Sequence, residues 1–419
     1  MVIRQTVMNR HIVYLFSVAL IMMTGCADVD LLHPYGNDDG VAPGPVSDVK
    51  VRNWSGAATI SYRLPSDPDL SYVKATFTGT DGNQREMRAS AYVDSLVIEG
   101  FGDTREYEVE LRAYDKFENA SAPVAVTVHP DTPPITLVRE SLEWSVDFGG
   151  FLISFENVTG SDIGLYVLQR DSVSQTMEYY DVYFTGQRKG TYAVRGLPDR
   201  ENEFGIYVQD HWGNSSDTLV FTTTPYREDE LDKEKFSAVN GSEVPGDLLT
   251  SQWQTSMDYL WNGVIDNWDY AEPFYPTNLP HRFTIDLGVV CRMSRMKDWQ
   301  RSGDDVRWQH GAWRLFNVYG CTELPPLAEA SADDPFKGWT LLGEFESVKP
   351  SGLPVGQVSD EDIQLLQDGE EFSFDRTAPA IRYIRFEIIA AHSTMQHSSM
   401  SEITLWGQIE DSDPDNLGI

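Results

Sequence analysis

A seven-residue pattern occurs twice in this 419-residue chain, 95 positions apart, as Asp115–Ser121 and again as Asp210–Ser216. Each copy follows a stretch in which apolar and polar residues alternate, and each precedes another such stretch. Alternation with a period of two, bounded by Gly, Pro, Asn and Asp, predicts short β-strands rather than helices. A repeat of about 95 residues is the size of one immunoglobulin-like sandwich. We therefore predict two β-sandwich modules, over residues 45–131 and 132–226.

The repeated pattern resembles fibronectin type III modules, in which an aromatic residue opens the penultimate strand and the last strand runs into a Pro-containing segment. The first copy is preceded by Pro43-Gly-Pro45, which is typical of a module boundary. Asp115 and Asp210 are expected to cap turns, and Trp54 and Trp144 to lie in the cores. Neither module shows catalytic residues, so we expect both to hold a third domain away from a membrane.

The amino terminus has the pattern of an export signal. Arg4 and Arg10 precede the apolar stretch Ile12–Met23, which is too short to remain as a membrane span. Small residues directly before Cys26 resemble the lipobox of bacterial lipoproteins, which implies a signal peptide over 1–25 and lipidation of Cys26. The alternative is a signal peptide followed by a coincidental cysteine. The polar, Gly- and Pro-rich residues 26–44 favour a lipid-anchored protein with a tether.

Asp28 and Asp30, just after Cys26, resemble the signal that sends some Gram-negative lipoproteins to the outer surface of the outer membrane. The expected location is therefore the outer membrane, with the cell surface favoured over the periplasmic face.

Acidic residues dominate the charge. The formal net charge is −33, and removal of residues 1–25 with their two arginines makes it −35. Such a chain repels nucleic acids and anionic lipids and leaves neutral polymers and cations as ligands. The densest charge run, at 227–236, predicts a solvated linker or a short helix. Three cysteines exclude a disulfide scaffold. Cys291 and Cys321 either form one disulfide or stay reduced, and we favour reduced thiols.

The carboxy-terminal part holds eight of the 11 tryptophans, all between residues 253 and 406. It again alternates in short strands, and we find no credible helical stripe. These features predict a jelly-roll over 237–408, followed by an acidic tail over 409–419. The whole chain is therefore expected to be all-β.

Five sequence landmarks of this part occur in the order found in discoidin (coagulation factor 5/8 type C) domains. They are Leu260–Gly263 with Trp268, Phe283–Gly288, Phe316–Gly320, Ile381–Arg385, and Ser401–Gly407. The resemblance implies a galactose-binding-like jelly-roll that commonly binds carbohydrate. It also implies a structural Ca²⁺ near Glu402, with Asn262 at a position where Asp is usual and with Asp266 as a compensating carboxylate. The whole layout resembles lipoproteins of polysaccharide-utilisation systems, which accompany SusC/SusD-like glycan-uptake proteins.

The chemistry of sugar binding selects candidate loops. A pyranose stacks an apolar face on aromatic rings, and its hydroxyls need planar, directional partners such as Arg, Asn and His. Three loops combine these residue types, around Trp268–Tyr275, Asp298–His310 and His392–His397. The preferred ligand residues are Trp299, Arg301, Trp308 and His310, with Tyr270, His392 and His397 as further candidates. The remaining tryptophans of this part that lie in or beside strand patterns are assigned to packing: Trp261, Trp313, Trp339 and Trp406.

We therefore predict a non-catalytic, cell-surface carbohydrate-binding lipoprotein. The alternative is a structural accessory that contacts other subunits of an outer-membrane uptake complex. An enzyme is disfavoured because the sequence lacks Gly-x-Ser-x-Gly, His-Glu-x-x-His, a Cys/His metal cluster and a phosphate loop.

Overall fold

The computed structural model describes residues 40–247, 256–272, 278–327, 334–393 and 397–410. The signal peptide, Cys26, most of the tether and most of the acidic tail lie outside these residues. The chain forms two compact units, one up to Pro134 together with Trp212–Asn214, the other comprising Ile135–His211 and the chain from Ser215 onward. Within the described part, no helix has the length and apolar character needed to cross a membrane.

The first unit is a β-sandwich of seven strands. They are β1 (Ser47–Trp54), β2 (Ala57–Arg63), β3 (Leu70–Thr78), β4 (Gln84–Ser90), β5 (Ser95–Glu99), β6 (Tyr107–Asp115) and β7 (Val124–Val128). One antiparallel sheet has the order β1-β2-β5 and the other β4-β3-β6-β7. Alternate residues of both sheets, among them Ile60, Val73 and Leu111, are fully buried in one core. The predicted period-two alternation therefore produces the sandwich.

A second sandwich opens the other unit, and its sheets repeat the same strand order. The helix α1 (Pro134–Ser141) precedes β8 (Glu143–Asp147), β9 (Gly150–Glu156), β10 (Ile163–Arg170), β11 (Met177–Thr185), β12 (Lys189–Val194), β13 (Asn202–Asp210) and β14 (Leu219–Thr223). The sheets run β12-β9-β8 and β11-β10-β13-β14. The fold class of both modules is thus immunoglobulin/fibronectin III-like, as predicted.

The repeated sequence pattern forms the same hydrogen-bonded turn in both sandwiches. Ala113 N–H donates to Ser121 Oγ at 2.9 Å, and Val208 N–H donates to Ser216 Oγ at 2.9 Å. The backbone N–H groups of both serines donate in return to the carbonyls of Ala113 and Val208. Each serine therefore links the end of the penultimate strand to the start of the last one, which explains why the pattern repeats.

The first turn also behaves as predicted, because Asp115 Oδ1 accepts the N–H groups of Phe117 and Asn119. The assignment of Trp54 and Trp144 to the cores is wrong. Their exposed fractions are 42% and 37%. Trp54 lies on the outward face of β1 beside Arg52 and Thr59, and Trp144 lies near the start of β8 with one ring face stacked on Phe221.

The carboxy-terminal domain is a jelly-roll. Its elements are β15 (Asp229–Glu230), β16 (Ser237–Ala238), β17 (His281–Trp299), β18 (Trp313–Cys321), β19 (Thr340–Glu346), α2 (Asp360–Asp368), β20 (Glu370–Ser373), β21 (Ile381–Ala391) and β22 (Glu402–Ile409), with 3-10 helices at Lys233–Lys235 and Met257–Trp261. The strand order is β15-β22-β17-β21-β18-β19, and β16 and β20 also pair with β17. Because residues 281–286 of β17 pair with β21 and residues 291–299 with β22, this one strand serves both layers around the core.

Two of the sequence landmarks have a clear structural role. Asp286 accepts a bidentate ion pair from Arg382 at 2.8 and 2.9 Å, and also accepts the N–H of Gly288. Arg385 Nη2 lies 2.6 Å from Asp247 Oδ1, and both side chains are essentially inaccessible. These landmarks therefore contain the ion pairs that link β21 to β17 and to the segment before β17 that carries Asp247.

The charge run at 227–236 is not a solvated linker. Its first part forms β15, which pairs with β22, and Leu231 and Phe236 are buried in the core of the jelly-roll. Glu228 forms an ion pair with Arg295 of β17, in which Oε2 lies 3.1 Å from Nη2. The segment combines exposed charged residues with residues that pair with β22 or pack in the core, so it is part of the carboxy-terminal domain.

Cys291 and Cys321 are both free thiols, as we favoured. Burial raises the pKa of each thiol to about 12, so neither is a reactive thiolate near neutral pH.

Candidate functional site

Three loops meet where β17 ends, and together they form what we call the binding edge: residues 262–272, 300–312, and 392–393 with 397–401. Backbone hydrogen bonds of 2.8–3.1 Å join them to one another. The bonded residues are Ala271 with Met400, Gly311 with Ser399, and Ala312 with His392. The three loops selected from sequence are therefore brought together. Residues 273–277 and 394–396, which belonged to two of the candidate segments, lie outside the described residues.

Arg301 lies at the centre of the binding edge. Its guanidinium carbon is 3.8 Å from the centroid of the Tyr270 ring, and its Nε–H donates to the carbonyl of Asn267 at 3.0 Å. Neither of its terminal NH₂ groups makes a hydrogen bond in the described part of the chain. Stacking fixes the plane of the guanidinium, while its two terminal groups remain able to donate to a ligand.

Other polar groups lie close to Arg301. Asn267 Oδ1 is buried and has no hydrogen-bond partner among the described residues. Glu272 Oε1 lies 3.9 Å from His397 Nε2, and both side chains are nearly buried. Burial raises the pKa of Glu272, although Arg301 opposes this, and burial lowers the pKa of His397. The edge therefore offers both donors and acceptors in a partly desolvated setting.

The loop that carries His310 has an unusual backbone. Trp308 and His310 have φ values of +53° and +51°, and Gly311 follows with +83°. Non-glycine residues rarely adopt this left-handed region, and such conformations persist where the surroundings impose them. Here the hydroxyl of Ser399 donates to the His310 carbonyl at 2.6 Å. The half-buried imidazole of His310 is thus held at the same edge as Arg301.

The prediction that Trp308 contacts a ligand is wrong. Its indole is 1% exposed, and its Nε1–H donates to the Asp362 carbonyl of α2 at 3.3 Å. The His392 ring packs edge-on against Trp308, and its Nε2 lies 3.0 Å from Ser347 Oγ. Burial lowers the pKa of His392 to about 4, so its imidazole is neutral and structural.

Trp299 also differs from its predicted role. It is the last residue of β17, and its half-buried indole lies directly over Gly369, where a Cβ atom would come within 2.5 Å of the ring. The left-handed φ of Gly369 (+79°) allows this approach at the end of α2. One face of Trp299 is therefore occupied by its own chain.

Trp268 is the exposed aromatic of the binding edge that the sequence-based selection passed over. Its side chain is 78% exposed, and its backbone N–H donates to Asp266 Oδ1 at 2.5 Å. By contrast, Tyr270, which was selected, is only 8% exposed. The available signal was the position of Trp268 in a loop between two aspartates, away from any strand pattern. Trp268, rather than Trp299 or Trp308, therefore presents the most exposed indole of these three loops.

Each residue predicted to hold Ca²⁺ already has a partner within the chain. Glu402 Oε1 instead lies 2.5 Å from the ammonium of Lys233. Asn262 donates to Asp269, and Asp266 caps the turn at Trp268, so both are used within their own loop. Among the described residues, no three His, Cys, Asp or Glu side chains form a group able to hold a metal ion. This donor set does not fit Ca²⁺, which takes six to eight oxygen ligands.

Two acids are buried beside the binding edge. Asp298 on β17 pairs in register with Glu370 on β20, next to Trp308 and α2. Burial raises the pKa of both carboxyls, that of Asp298 well above its usual range. The charge of Glu370 raises the pKa of Asp298 further, whereas hydrogen bonds from Ser347 and the Val348 N–H lower that of Glu370. The pair lies beneath packed side chains and is not an open two-carboxylate cleft of the glycosidase kind.

Two sandwiches followed by a jelly-roll whose loops carry the site define a multi-domain β-protein that ends in a galactose-binding-like domain. Three family models match the chain, each described as a domain of unknown function: DUF4959 over residues 43–130, DUF5126 over 131–234 and DUF5000 over 261–407. The solved SusE-like protein BT2857 is 30% identical, with a TM-score of 0.42, and the match covers 66% of this chain and 100% of that one. On that sequence identity, the chain belongs to the SusE-like proteins.

Other solved structures resemble parts of the chain more distantly. A family 32 carbohydrate-binding module from C. perfringens NanJ, solved with galactose, is 13% identical, with a TM-score of 0.29, over 43% of this chain and 98% of that one. A two-domain fibronectin type III segment of chicken tenascin is 14% identical, with a TM-score of 0.22, over 43% and 99%. No curated protein sequence matches the chain.

Proposed function

We propose that this protein is a non-catalytic, lipid-anchored glycan-binding protein of the cell surface that serves a SusC/SusD-like uptake system. The observation that carries the proposal is that Arg301 is bonded to Asn267, the residue next to exposed Trp268, and keeps its terminal NH₂ groups without a partner among the described residues. A sugar ring can stack on the indole while its hydroxyls accept from the guanidinium.

The polarity of the edge favours a neutral sugar over an anionic one. Glu272 lies close to Arg301, and the chain as a whole is strongly acidic. A carboxylate or sulfate group would be attracted by Arg301 but repelled by the surrounding acids. Membership of the SusE-like proteins supports a role in a Sus-type system.

Affinity electrophoresis of the whole mature chain through gels containing neutral polysaccharides tests the proposal. We expect Trp268→Ala and Arg301→Ala each to weaken retardation by roughly tenfold, about 1.4 kcal/mol. The matched control is Trp54→Ala, which removes another exposed indole from the first sandwich and should bind normally. Retardation by no polysaccharide, or equal retardation of all three variants, would count against glycan binding at this edge.

Lipid attachment at Cys26 forms part of the same proposal. We expect labelled palmitate to be incorporated by the full-length chain in its host and not by Cys26→Ser. External protease should then degrade the anchored protein on intact cells, whereas a periplasmic protein would be protected.

The alternative role, a structural accessory of an uptake complex, is favoured by one other surface. The outward face of β10, β11, β13 and β14 is apolar and at least partly exposed; its side chains are Tyr166, Leu168, Tyr179, Val182, Phe184, Tyr207 and Val220. The matching face of the first sandwich instead carries charged residues, including Lys74, Glu86, Glu110 and Arg112. Contiguous exposed apolar surface commonly marks a protein-binding face.

Co-purification distinguishes the two roles. If the accessory role is correct, Phe184→Ser will lower recovery of SusC/SusD-like proteins with this chain, while Glu110→Ser on the matching face will not. If recovery falls in this way and the protein binds no glycan, the accessory role replaces glycan binding as the proposed function.

A further inference from the structure

A lysine ammonium lies against a buried carboxylate of the carboxy-terminal domain. Lys233 Nζ is 2.5 Å from Glu402 Oε1 and 2.7 Å from Thr404 Oγ1. The Glu402 side chain is only 2% exposed, whereas that of Lys233 is 21% exposed. A buried carboxylate is costly unless a partner compensates its charge. Lys233 supplies that charge from the 3-10 helix before β16.

The same carboxylate also holds the first loop of the binding edge. Glu402 Oε2 accepts the N–H of Gly263 at 2.8 Å, at the point where this loop begins. Ser401, the neighbouring residue, accepts the N–H of Asp266 and donates to loop carbonyls. The loop that presents Trp268 is therefore fastened to residues 401 and 402, and Lys233 neutralises the charge at that attachment.

The position of the ammonium also excludes a second cation. A divalent ion bound to Glu402 would lie within contact distance of Lys233, and two like charges so close repel strongly in a partly buried site. The nearby oxygens of Asn262 and Asp266 accept backbone N–H groups of their own loop. The Lys233–Glu402 ion pair is already formed, so these oxygens do not need to leave their own loop to neutralise Glu402.

We propose that the Lys233 ammonium acts as a built-in structural cation, which orders the 262–272 loop and makes the domain independent of metal ions. This inference concerns folding and does not depend on whether the loop binds glycan.

Unfolding of the whole mature chain tests it. Tryptophan fluorescence follows this domain, because eight of the 11 indoles lie in the carboxy-terminal part. The unmodified chain should unfold at the same temperature in EDTA and in excess CaCl₂. Lys233→Met should unfold several degrees lower in both. Lys235→Met is the matched control, since Lys235 lies in the same short helix but is 52% exposed, and it should behave like the unmodified chain.

A second variant separates charge compensation from packing. In Lys233→Met the buried Glu402 carboxylate is left without its cation, so adding Glu402→Gln should restore part of the lost unfolding temperature. The proposal is overturned if EDTA lowers the unfolding temperature of the unmodified chain and CaCl₂ restores it. It is equally overturned if Lys233→Met is as stable as the unmodified chain, or if adding Glu402→Gln lowers stability further.

Discussion

Burial raises the pKa of both Asp298 and Glu370 in the folded chain, that of Asp298 well above its usual range. Unfolded, such carboxyls have pKa values near 4. Between that value and the raised folded pKa, the folded chain binds more protons than the unfolded chain, so its free energy of unfolding falls as pH rises. Asp298→Asn removes one of these groups. We expect the loss of stability between about pH 5 and about pH 8 to be smaller in this variant.

Chemical unfolding at both pH values measures that difference. Asp304→Asn is the control, because its side chain is 91% exposed and it should keep the pH dependence of the unmodified chain. An Asp298→Asn protein with an unchanged pH slope would contradict the assignment of Asp298 as a protonated acid.

At the same scale, the sequence selected Arg301 and His310, which the structure places at one edge, but could not assign every aromatic residue. A loop tryptophan has the same sequence signature whether it is buried or exposed. Trp308 has a left-handed backbone and its buried indole donates to the Asp362 carbonyl of α2, whereas exposed Trp268 lies in a turn capped by Asp266. These outcomes depend on contacts between loops, which no local pattern encodes.

Among the elements, β21 depends on a buried ion pair. Arg385 donates to Asp247 through Nε and Nη2, and the hydroxyl of Thr284 donates to the same carboxylate. Arg385→Met leaves the Asp247 carboxylate buried without its partner. We expect the free energy of unfolding to fall by roughly 3–5 kcal/mol.

The matched control for that variant lies on the same strand. Arg382 is 44% exposed in its pair with Asp286, and an exposed pair contributes less than about 1 kcal/mol. Denaturant titration should therefore separate Arg382→Met from Arg385→Met. Equal losses in the two variants would show that burial is not the cause.

Helix α2 has a reciprocal cap that a closer reading of the sequence could have found. Ser359 Oγ accepts the N–H of Asp362, and Asp362 Oδ2 accepts the N–H of Ser359. A Ser-x-x-Asp pattern before a short amphipathic segment is a helix-start signal, although the segment is too short to show clear periodicity. The strands were predicted correctly because their alternation is local and repeated many times.

Ser359→Ala should cost about 1 kcal/mol through loss of this cap. Because the carbonyl of Asp362 accepts from Trp308, we also expect the variant to change tryptophan emission before global unfolding. Ser373→Ala, at an exposed end of β20, serves as the control. Unchanged stability and emission in Ser359→Ala would argue against this role of the cap.

For the whole molecule, the two sandwiches and the jelly-roll lie in two compact units, and segment 227–236, predicted as a solvated linker or a short helix, is part of the carboxy-terminal domain. The charge run between the second sandwich and the jelly-roll looked solvated because its charged residues outnumber its anchors. Its pairing with β22 could not be read from the sequence, since the two partners are distant along the chain. The consequence is a segment protected from proteolysis.

Limited trypsin digestion measures this protection. We expect no early cleavage after Lys233 or Lys235, although both are basic residues in a segment predicted as a linker. Arg188, on an exposed connection of the second sandwich, provides an internal comparison. Rapid cutting within 227–236 of the folded chain would restore the linker interpretation.

The attachment of Lys233 to Glu402 also determines when the domain can be completed during synthesis. The two residues are 169 positions apart, and β15 finds its partner only in the last strand, β22. Contacts at such separations form late, because a long loop must close first. In a growing chain, Leu231 and Lys233 therefore cannot form these contacts until almost the whole domain has been synthesised. By the same logic, a recombinant fragment begun at residue 237 would lack part of its own core, whereas one begun near Tyr226 would retain it.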